Sequence, residues 1–230
     1  QSFLLDSEFF IFPNSKTTHF GPRFKAERKK EELYESNKIE AGADLERGWD
    51  QFGLRLHARV GPTMNYLRTV SGQGPPEKTY LSWEGEISAV SHNYEAFTRQ
   101  QFEGWMASLK YTGQRKGLGS DIAVDRYELR GKNLWNIKNY SPPLLIVATR
   151  FQGIFVDPHS RNNQDVMDLP IELRVFYGGN DNLRGFDRQS INNNELGFLT
   201  AVSAGLETRL VEVLPYMLEP FFLFDIGQVG

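Results

Sequence analysis

The sequence predicts an all-β protein, an antiparallel β-barrel of the transmembrane type. Apolar and polar residues alternate with a period of two through most of the chain, which places them on opposite faces of extended strands. Clusters of Gly, Pro, Asn and Asp divide the chain into roughly ten or eleven such segments. No stretch approaches the ~20 consecutive apolar residues that a membrane-spanning helix needs.

Composition sets the first limits on function. The chain has 230 residues, a formal net charge of −3, 24% charged and 13% aromatic residues, and no cysteine. A disordered chain has fewer aromatic residues, and the balanced charge gives no reason to expect a nucleic-acid partner. The absence of cysteine removes disulfides, zinc ribbons and cysteine nucleophiles. No shift in composition divides the chain, so we predict one domain over residues 1–230.

The alternation assigns side chains to the two faces of the predicted strands. It is clear from about Gln51, Leu81, Gly104, Leu145, Pro170 and Val202 onward, with Phe52 on the apolar face of the first of these segments. We expect the polar faces to line the lumen of the barrel and the apolar faces to contact lipid. The residues expected inside are Arg55, Arg59, Glu84, Glu86, Glu172 and Arg174, and those expected outside are Leu54, Leu56, Trp83, Leu173 and Val175.

Alternation by itself does not separate a membrane barrel from a soluble sandwich or lipocalin, whose polar faces meet water. Two details favour the membrane: Trp and Tyr lie near segment ends, and the polar faces combine charge with glycine. Turns of unequal length also suggest short connections at one side of the barrel and long loops at the other.

One segment departs from this pattern. Residues 25–35 are dense in both charges, which predicts a solvated loop or a short exposed helix, with an interaction arm as the alternative.

Residues that could carry catalysis are not arranged for it. His19, His57, His92 and His159 are isolated in the sequence, without the spacing of a metal site. The sequence also lacks a serine-hydrolase elbow, a complete dinucleotide fingerprint and a complete phosphate loop. We therefore expect neither an enzyme nor a protein that needs a metal or a cofactor.

Residues 170–227 contain three motifs in a fixed order. Pro170-Ile-Glu-Leu-Arg-Val-Phe-Tyr-Gly-Gly leads to Leu183-Arg-Gly-Phe, and Gly205-Leu-Glu-Thr-Arg and Pro220-Phe-Phe-Leu-Phe-Asp-Ile-Gly follow. This series resembles the outer-membrane β-barrel translocase superfamily that includes BamA, TamA, FhaC and the bacterial surface antigen proteins. The resemblance implies a strand that ends at a glycine turn, a loop that folds into the lumen, and two strands that receive the loop.

The resemblance also implies a role for each matching residue. Gly178 and Gly179 form the turn, and the functional loop motif is Leu183, Arg184, Gly185 and Phe186. Arg184 meets acidic residues in the lumen, first Asp225 and then Glu207, with Arg209 beside them. Gly185 lets the loop approach the barrel wall, and Phe186 stacks against the interior. A guanidinium fits a carboxylate as a planar fork, and either charge alone would be costly in a poorly hydrated lumen.

The chain departs from the family pattern at both ends. No periplasmic POTRA module is recognisable, and the family barrel usually continues beyond the last motif to an aromatic residue, so the barrel is expected to be reduced or incomplete at its C-terminal end.

Three functions stay open. The first is a bacterial outer-membrane barrel that inserts or translocates unfolded outer-membrane or secreted polypeptides. The second is a non-translocating barrel that serves as a membrane anchor, a small porin-like pore or a lipid-contacting homo-oligomer. The third is a soluble β-barrel that binds a small ligand.

Overall fold

In the computed structural model, the described residues form ten β-strands in a single antiparallel sheet. The structure describes residues 3–8, 18–30, 35–71, 77–94, 103–120, 122–139, 143–159, 169–179, 182–191, 197–211 and 219–230. The strands are β1 (Phe3–Glu8), β2 (Thr18–Lys30), β3 (Glu35–Gln51), β4 (Leu54–Ser71), β5 (Glu77–Ser91), β6 (Gly104–Gln114), β7 (Val124–Asn136), β8 (Leu145–Asp157), β9 (Thr200–Leu210) and β10 (Phe221–Val229). Among the described residues, no helix is both long and apolar enough to cross a membrane.

Every strand pairs with its neighbours in the sequence, so the order in the sheet runs from β1 to β10 without a crossover. Within the described ranges, β1 pairs with β2 alone and β10 with β9 alone, which leaves these two strands at the edges. The number of strands agrees with the rhythm of alternating segments in the sequence.

The tightest connection joins β3 to β4 through Phe52 and Gly53. Both residues have a positive φ, 53° and 73°, as both central residues of a two-residue hairpin turn of type I′ require. Phe52 is 88% exposed at this tip, so its expected place on the apolar face of a strand is wrong. The alternation of apolar and polar residues continues through the turn because the turn is short and lies between two strands, β3 and β4, that both show it.

The connections alternate between the two ends of the strands. We call the end with the Phe52–Gly53 turn the hairpin edge and the opposite end the loop edge; both differ from the edge strands β1 and β10. The longest connection, residues 158–199 between β8 and β9, lies at the loop edge. The expected division into short turns and long loops is not clean. The loop edge also carries the short connection 31–34, and the hairpin edge carries the longer connection 92–103.

The two faces of the sheet differ sharply, and we call the face that packs against residues 169–179 and 182–191 the inner face. On β4, Thr63, Asn65 and Leu67 are buried on the inner face, whereas Val60 and Met64 are 50% and 44% exposed on the outer one. The faces predicted for β4 and β5 therefore agree with the structure: Trp83 is 49% exposed on the outer face. The four charged residues expected inside on these strands, Arg55, Arg59, Glu84 and Glu86, have inner-face positions.

The charge-rich segment is a strand over most of its described length. β2 continues to Lys30 and β3 begins at Glu35, so the expected loop or exposed helix is wrong for residues 25–30, while residues 31–34 lie outside the described ranges. Lys25 pairs with Glu27 at 3.1 Å along the inner face, and Arg28 pairs with Glu35 across the hairpin at 2.5 Å. Opposite charges at nearby positions, within β2 and across the hairpin, satisfy one another, so this segment extends the sheet.

The expected strand at residues 170–178 is also wrong, because this segment lies inside the sheet's curvature as part of the long connection. Ile171–Leu173 form a short 3-10 turn, and Val175, Tyr177 and Gly179 make only isolated bridges. Leu173 and Val175, predicted to face lipid, are 5% and 2% exposed. They belong to an internal apolar core with Ile122, Val124, Ile154, Val156, Leu169, Tyr177, Leu183 and Ala201. The alternation here reflects packing on the inner face.

Candidate functional site

The site begins with a compact turn inside the barrel. Gly178 and Gly179 have φ angles of 109° and 106°, a region that residues with a side chain rarely adopt. The Asn182 side-chain oxygen accepts hydrogen bonds from the backbone N–H groups of Gly178, at 2.9 Å, and Leu183, at 2.8 Å. This arrangement closes the turn and directs the next residue, Arg184, toward β9 and β10.

Arg184 reaches both carboxylates named from the sequence. Its Nε and Nη2 atoms donate to the two oxygens of Asp225 at 2.9 and 3.0 Å, and its backbone N–H donates to the same carboxylate at 3.0 Å. Its Nη1 atom pairs with Glu207. The hydrogen bonds with Asp225 raise the pKa of the Arg184 guanidinium, a group that is charged at neutral pH in any case. The motif order thus placed the right three residues together.

Each carboxylate also has a second arginine. Arg150 on β8 donates from Nη2 to Asp225 at 2.6 Å, and Arg209 pairs through Nε with Glu207 at 2.9 Å. Arg150 also donates to the backbone carbonyl of Asn182 at 3.0 Å, so it contacts both the turn and the wall. We call Arg150, Arg184, Glu207, Arg209 and Asp225 the arginine–carboxylate cluster.

Sequence reasoning missed Arg150, Asn182 and the part played by Gly205. Arg150 could have been found from its inner-face position on the strand before the long connection. Gly205 lies directly opposite Arg150 and Asp225 in the register of β8, β9 and β10. A Cβ at Gly205 would lie 2.7 Å from Arg150 Nε and would collide with the Asp225 carboxylate. This glycine therefore leaves the space in which the two side chains meet.

The remaining residues of the loop motif act differently from one another. Leu183 is 6% exposed and packs over Gly227, where a Cβ would come within 2.9 Å of its Cδ1 atom. Gly185 has a φ of 92° but open space where a side chain would begin, so its conformation, not a close approach to the wall, requires glycine. Phe186 is 55% exposed, so the expected stacking against the interior is absent.

Two of the isolated histidines have carboxylate partners at opposite edges of the sheet. His57 Nε2 lies 2.6 Å from Glu46, and His159 Nε2 lies 2.6 Å from Asp125, which also accepts hydrogen bonds from Tyr111 and Arg115. These contacts tie neighbouring strands and the start of the long connection together, and neither includes a residue of the arginine–carboxylate cluster.

The arginine–carboxylate cluster joins the loop to the strands, and we call these joining contacts the clasp. Asp225 has a side chain only 4% exposed, and its lone pairs are taken up by two guanidinium groups and one backbone N–H. Charge-assisted hydrogen bonds of this kind are stronger than neutral ones and strongly directional. The clasp fixes the loop to β8, β9 and β10 at one point, while the apolar core holds the preceding segment.

Comparison with known proteins places this geometry in a fold. No protein-family model matches the chain, and no curated protein matches its sequence. The structure is similar to the crystal structure of BamA from Haemophilus ducreyi lacking POTRA domains 1–3, with a TM-score of 0.72 and 14% sequence identity. The match covers 99% of this chain and 49% of the BamA chain in that crystal structure, so this chain spans about half the length of that BamA chain. From the ten-stranded meander, its internal loop and this similarity, we conclude that the chain has the β-barrel fold of the outer-membrane protein BamA.

Proposed function

We propose that this chain is an outer-membrane β-barrel that inserts or translocates polypeptides at the bacterial outer membrane. The observation that carries the proposal is the clasp between Arg184 and the carboxylates of Asp225 and Glu207, formed by an internal loop within a barrel of the BamA fold. The proposal includes no chemical step, because the clasp consists of ion pairs and hydrogen bonds.

The outer face supports a bilayer as the first partner. Large apolar side chains are exposed on successive strands, among them Val60, Ile87, Leu129, Leu206 and Phe224, with exposed fractions between 43% and 65%. An aqueous surface carrying so many exposed apolar residues would favour aggregation, whereas a hydrocarbon environment stabilises them.

The clasp supports a role for the loop in the barrel's working state. It joins the long connection to β8, β9 and β10, which pair with each other through a continuous ladder. A change in the pairing of these strands would change the distances between Arg150, Glu207 and Asp225. The position of the loop therefore depends on the arrangement of these three strands, and the loop stabilises that arrangement. This is the part of the wall against which a polypeptide would move.

The test is an insertion assay with the full natural protein reconstituted in phospholipid vesicles. An unfolded outer-membrane β-barrel protein is added, and its folding is followed by the appearance of a compact band in unheated denaturing gels. The wild-type protein should accelerate folding over empty vesicles, and Arg184→Ala should remove most of the acceleration. Arg68→Ala is the matched control, because Arg68 is 61% exposed and pairs with the equally exposed Glu77. Folded wild-type protein that gives no acceleration would refute the proposal.

A second candidate is a barrel that anchors or organises the membrane without moving polypeptides. The internal apolar core favours it, since Leu173, Val175 and Tyr177 are at most 5% exposed and hold the loop in the barrel. If this second candidate is correct, the protein inserts stably into vesicles, does not accelerate the folding of a substrate and conducts no ions. The same reconstituted sample therefore decides between the two proposed functions.

A further inference from the structure

The outer face of the sheet carries a row of tryptophans at the hairpin edge. Trp49 lies two residues before the end of β3, Trp105 is the second residue of β6, and Trp135 is the second-to-last residue of β7. Trp105 and Trp135 are diagonal neighbours on the same face of the β6–β7 pair, and Trp135 is 44% exposed there. Trp49 is paired with Leu56 on the outer face of β3 and β4. Tryptophan is enriched where a membrane protein meets the lipid headgroups, so this row indicates one membrane–water interface.

Tyrosines form a second row on the outer face, near the loop edge. Tyr66 on β4 and Tyr127 on β7 are 37% and 41% exposed, and Tyr111 on β6 lies beside Tyr127 with 5.2 Å between the ring centroids. On β7, the two rows are separated by the eight residues from Tyr127 to Trp135, a rise of about 27 Å along the strand. A strand tilt of about 40° reduces this rise to about 20 Å, close to the ~25 Å height of the apolar band of a membrane barrel. The two rows therefore mark the two boundaries of the bilayer.

Arg47 lies on the outer face at the tryptophan row. It is two residues from Trp49 on β3, and it is paired with Thr18 on one side and Ala58 on the other. Arg47 is exposed, and within the described part of the chain it has no hydrogen-bond or ion-pair partner. Two residues further toward the loop edge, Leu45 is 48% exposed on the same face. A charge on the lipid-facing surface is costly at the middle of the bilayer and tolerated near the interface, so we expect the Arg47 guanidinium to lie at the level of the headgroups.

Arginines at the loop edge differ from Arg47, because each of them has a carboxylate partner. The pairs are Arg28 with Glu35 at 2.5 Å, Arg68 with Glu77 at 3.6 Å, and Arg115 with Asp125 at 2.7 Å. These carboxylates offset the loop-edge charges within the protein. The charge of Arg47 has no such partner among the described residues, so it is available to a negatively charged group of the bilayer.

We propose that Arg47 binds the phosphodiester of an anionic phospholipid in the leaflet at the hairpin edge, with Trp49 beside it at the boundary between headgroups and acyl chains. A guanidinium offers paired N–H donors that match two phosphate oxygens. An anionic headgroup is favoured over a zwitterionic one, because it contains no ammonium that competes for the phosphate. The inference rests on the bilayer location in the proposed function and is independent of polypeptide insertion.

The test uses the full chain folded into vesicles of phosphatidylcholine with a minor fraction of phosphatidylglycerol. Either lipid carries bromine on its acyl chains, in separate samples, and the tryptophan quenching by the two brominated lipids is compared at the same mole fraction. In a variant that keeps Trp49 and has phenylalanine at the three other tryptophans, we expect about fivefold enrichment of phosphatidylglycerol, the factor expected for one basic side chain at an anionic surface. Adding Arg47→Gln should abolish the enrichment. Arg68→Gln is the control and should leave it unchanged, since Arg68 is an outer-face arginine paired with Glu77.

A second measurement needs no removal of tryptophans. The chain in a neutral detergent is titrated with phosphatidylglycerol, and the bound lipid molecules are counted by native mass spectrometry. The tightest-bound lipid should bind about fivefold more weakly to Arg47→Gln than to wild type, and equally well to Arg68→Gln. The proposal is overturned if Arg47→Gln binds phosphatidylglycerol as well as wild type does, or if quenching shows no enrichment near Trp49.

The two kinds of failure are distinguishable. A compact band in unheated denaturing gels shows for each sample that the chain has folded into the vesicles. A chain that inserts but shows no preference for phosphatidylglycerol refutes the lipid site and leaves the proposed function standing. A wild-type chain that never inserts refutes the lipid site and the proposed function together.

Discussion

Replacing Asp225 by asparagine should destabilise the barrel more than truncating Arg184. Asp225 accepts three hydrogen bonds from Arg184 and one from Arg150, and its side chain is 4% exposed. Asparagine keeps the size of the side chain but loses the charge and one of the two acceptor oxygens. Both arginines then lose the carboxylate that they share.

The magnitudes follow from what each variant leaves behind. Breaking a buried ion pair costs about 3–5 kcal/mol when the remaining charge has no partner. In Asp225→Asn, Arg184 keeps Glu207, and the Arg184 and Arg150 side chains are 15% and 25% exposed, so we expect about 2–3 kcal/mol. In Arg184→Ala, Asp225 keeps Arg150 and Glu207 keeps Arg209, so we expect only about 1–2 kcal/mol.

The assay is urea unfolding of the chain in phospholipid vesicles, with tryptophan fluorescence as the signal. The dependence of the free energy of unfolding on urea concentration is compared between variants. Arg68→Ala, at the exposed pair with Glu77, should stay within about 0.5 kcal/mol of wild type. The reasoning fails if Arg184→Ala costs more than Asp225→Asn, or if neither differs from the Arg68 control.

The charge-swapped double variant provides a further check on the shared contacts. Arg184→Asp combined with Asp225→Arg would recreate an isolated pair, but it would place the new arginine beside Arg150 and the new carboxylate beside Glu207. We expect no recovery of the free energy of unfolding, because each new charge meets a like charge.

Three other substitutions test the wall and the loop. Gly61→Ala should reduce the yield of folded barrel, because a Cβ would collide with the carbonyl oxygen of Ala43. Gly85→Ala is the control and should be tolerated better, since a Cβ there would lie 4.0 Å from the nearest atom. Equal yields of the two variants in unheated gels would contradict the packing. Leu206→Arg should cost about 2–4 kcal/mol if this outer-face position lies near the middle of the bilayer, measured by urea unfolding beside Leu206→Ala. Gly185→Ala should cost about 1 kcal/mol, because its φ is 92° although its surroundings are open, and a loss above about 3 kcal/mol would point to a steric role instead.

Much of the fold could be predicted because a strand in a two-sided sheet leaves a period of two in the sequence. On β4 and β5 the polar residues do face inward, and Trp83 faces outward. The two-residue turn at Phe52 was hidden, because an exposed phenylalanine in a left-handed conformation has no turn signature of its own except the glycine that follows it. The cluster around Arg184 was predictable through the order of the motifs, not through periodicity.

Arg150 shows where sequence reasoning stopped. Its place on the inner face follows from the alternation along β8, but its contact with Asp225 depends on the pairing of three strands and on the space that Gly205 leaves. Register across several strands is set by side-chain packing and by the turns, and a single sequence does not reveal it.

The sequence by itself determined the all-β class, the rhythm of the strands and the two faces of β4 and β5, and the resemblance of its motifs to a known superfamily implied the association of Arg184 with Asp225 and Glu207. Only the tertiary structure decided that residues 170–178 leave the wall and fill its interior, with Val175 and Tyr177 at most 2% exposed. The reason is physical. The period-two pattern shows only that successive side chains meet different surroundings. Lipid outside a barrel and an apolar core inside it are equally apolar, so the pattern does not separate them. Which of the two Val175 meets depends on residues far away in the chain, such as Val124 and Ile154, that come into contact only when the sheet curves around the loop.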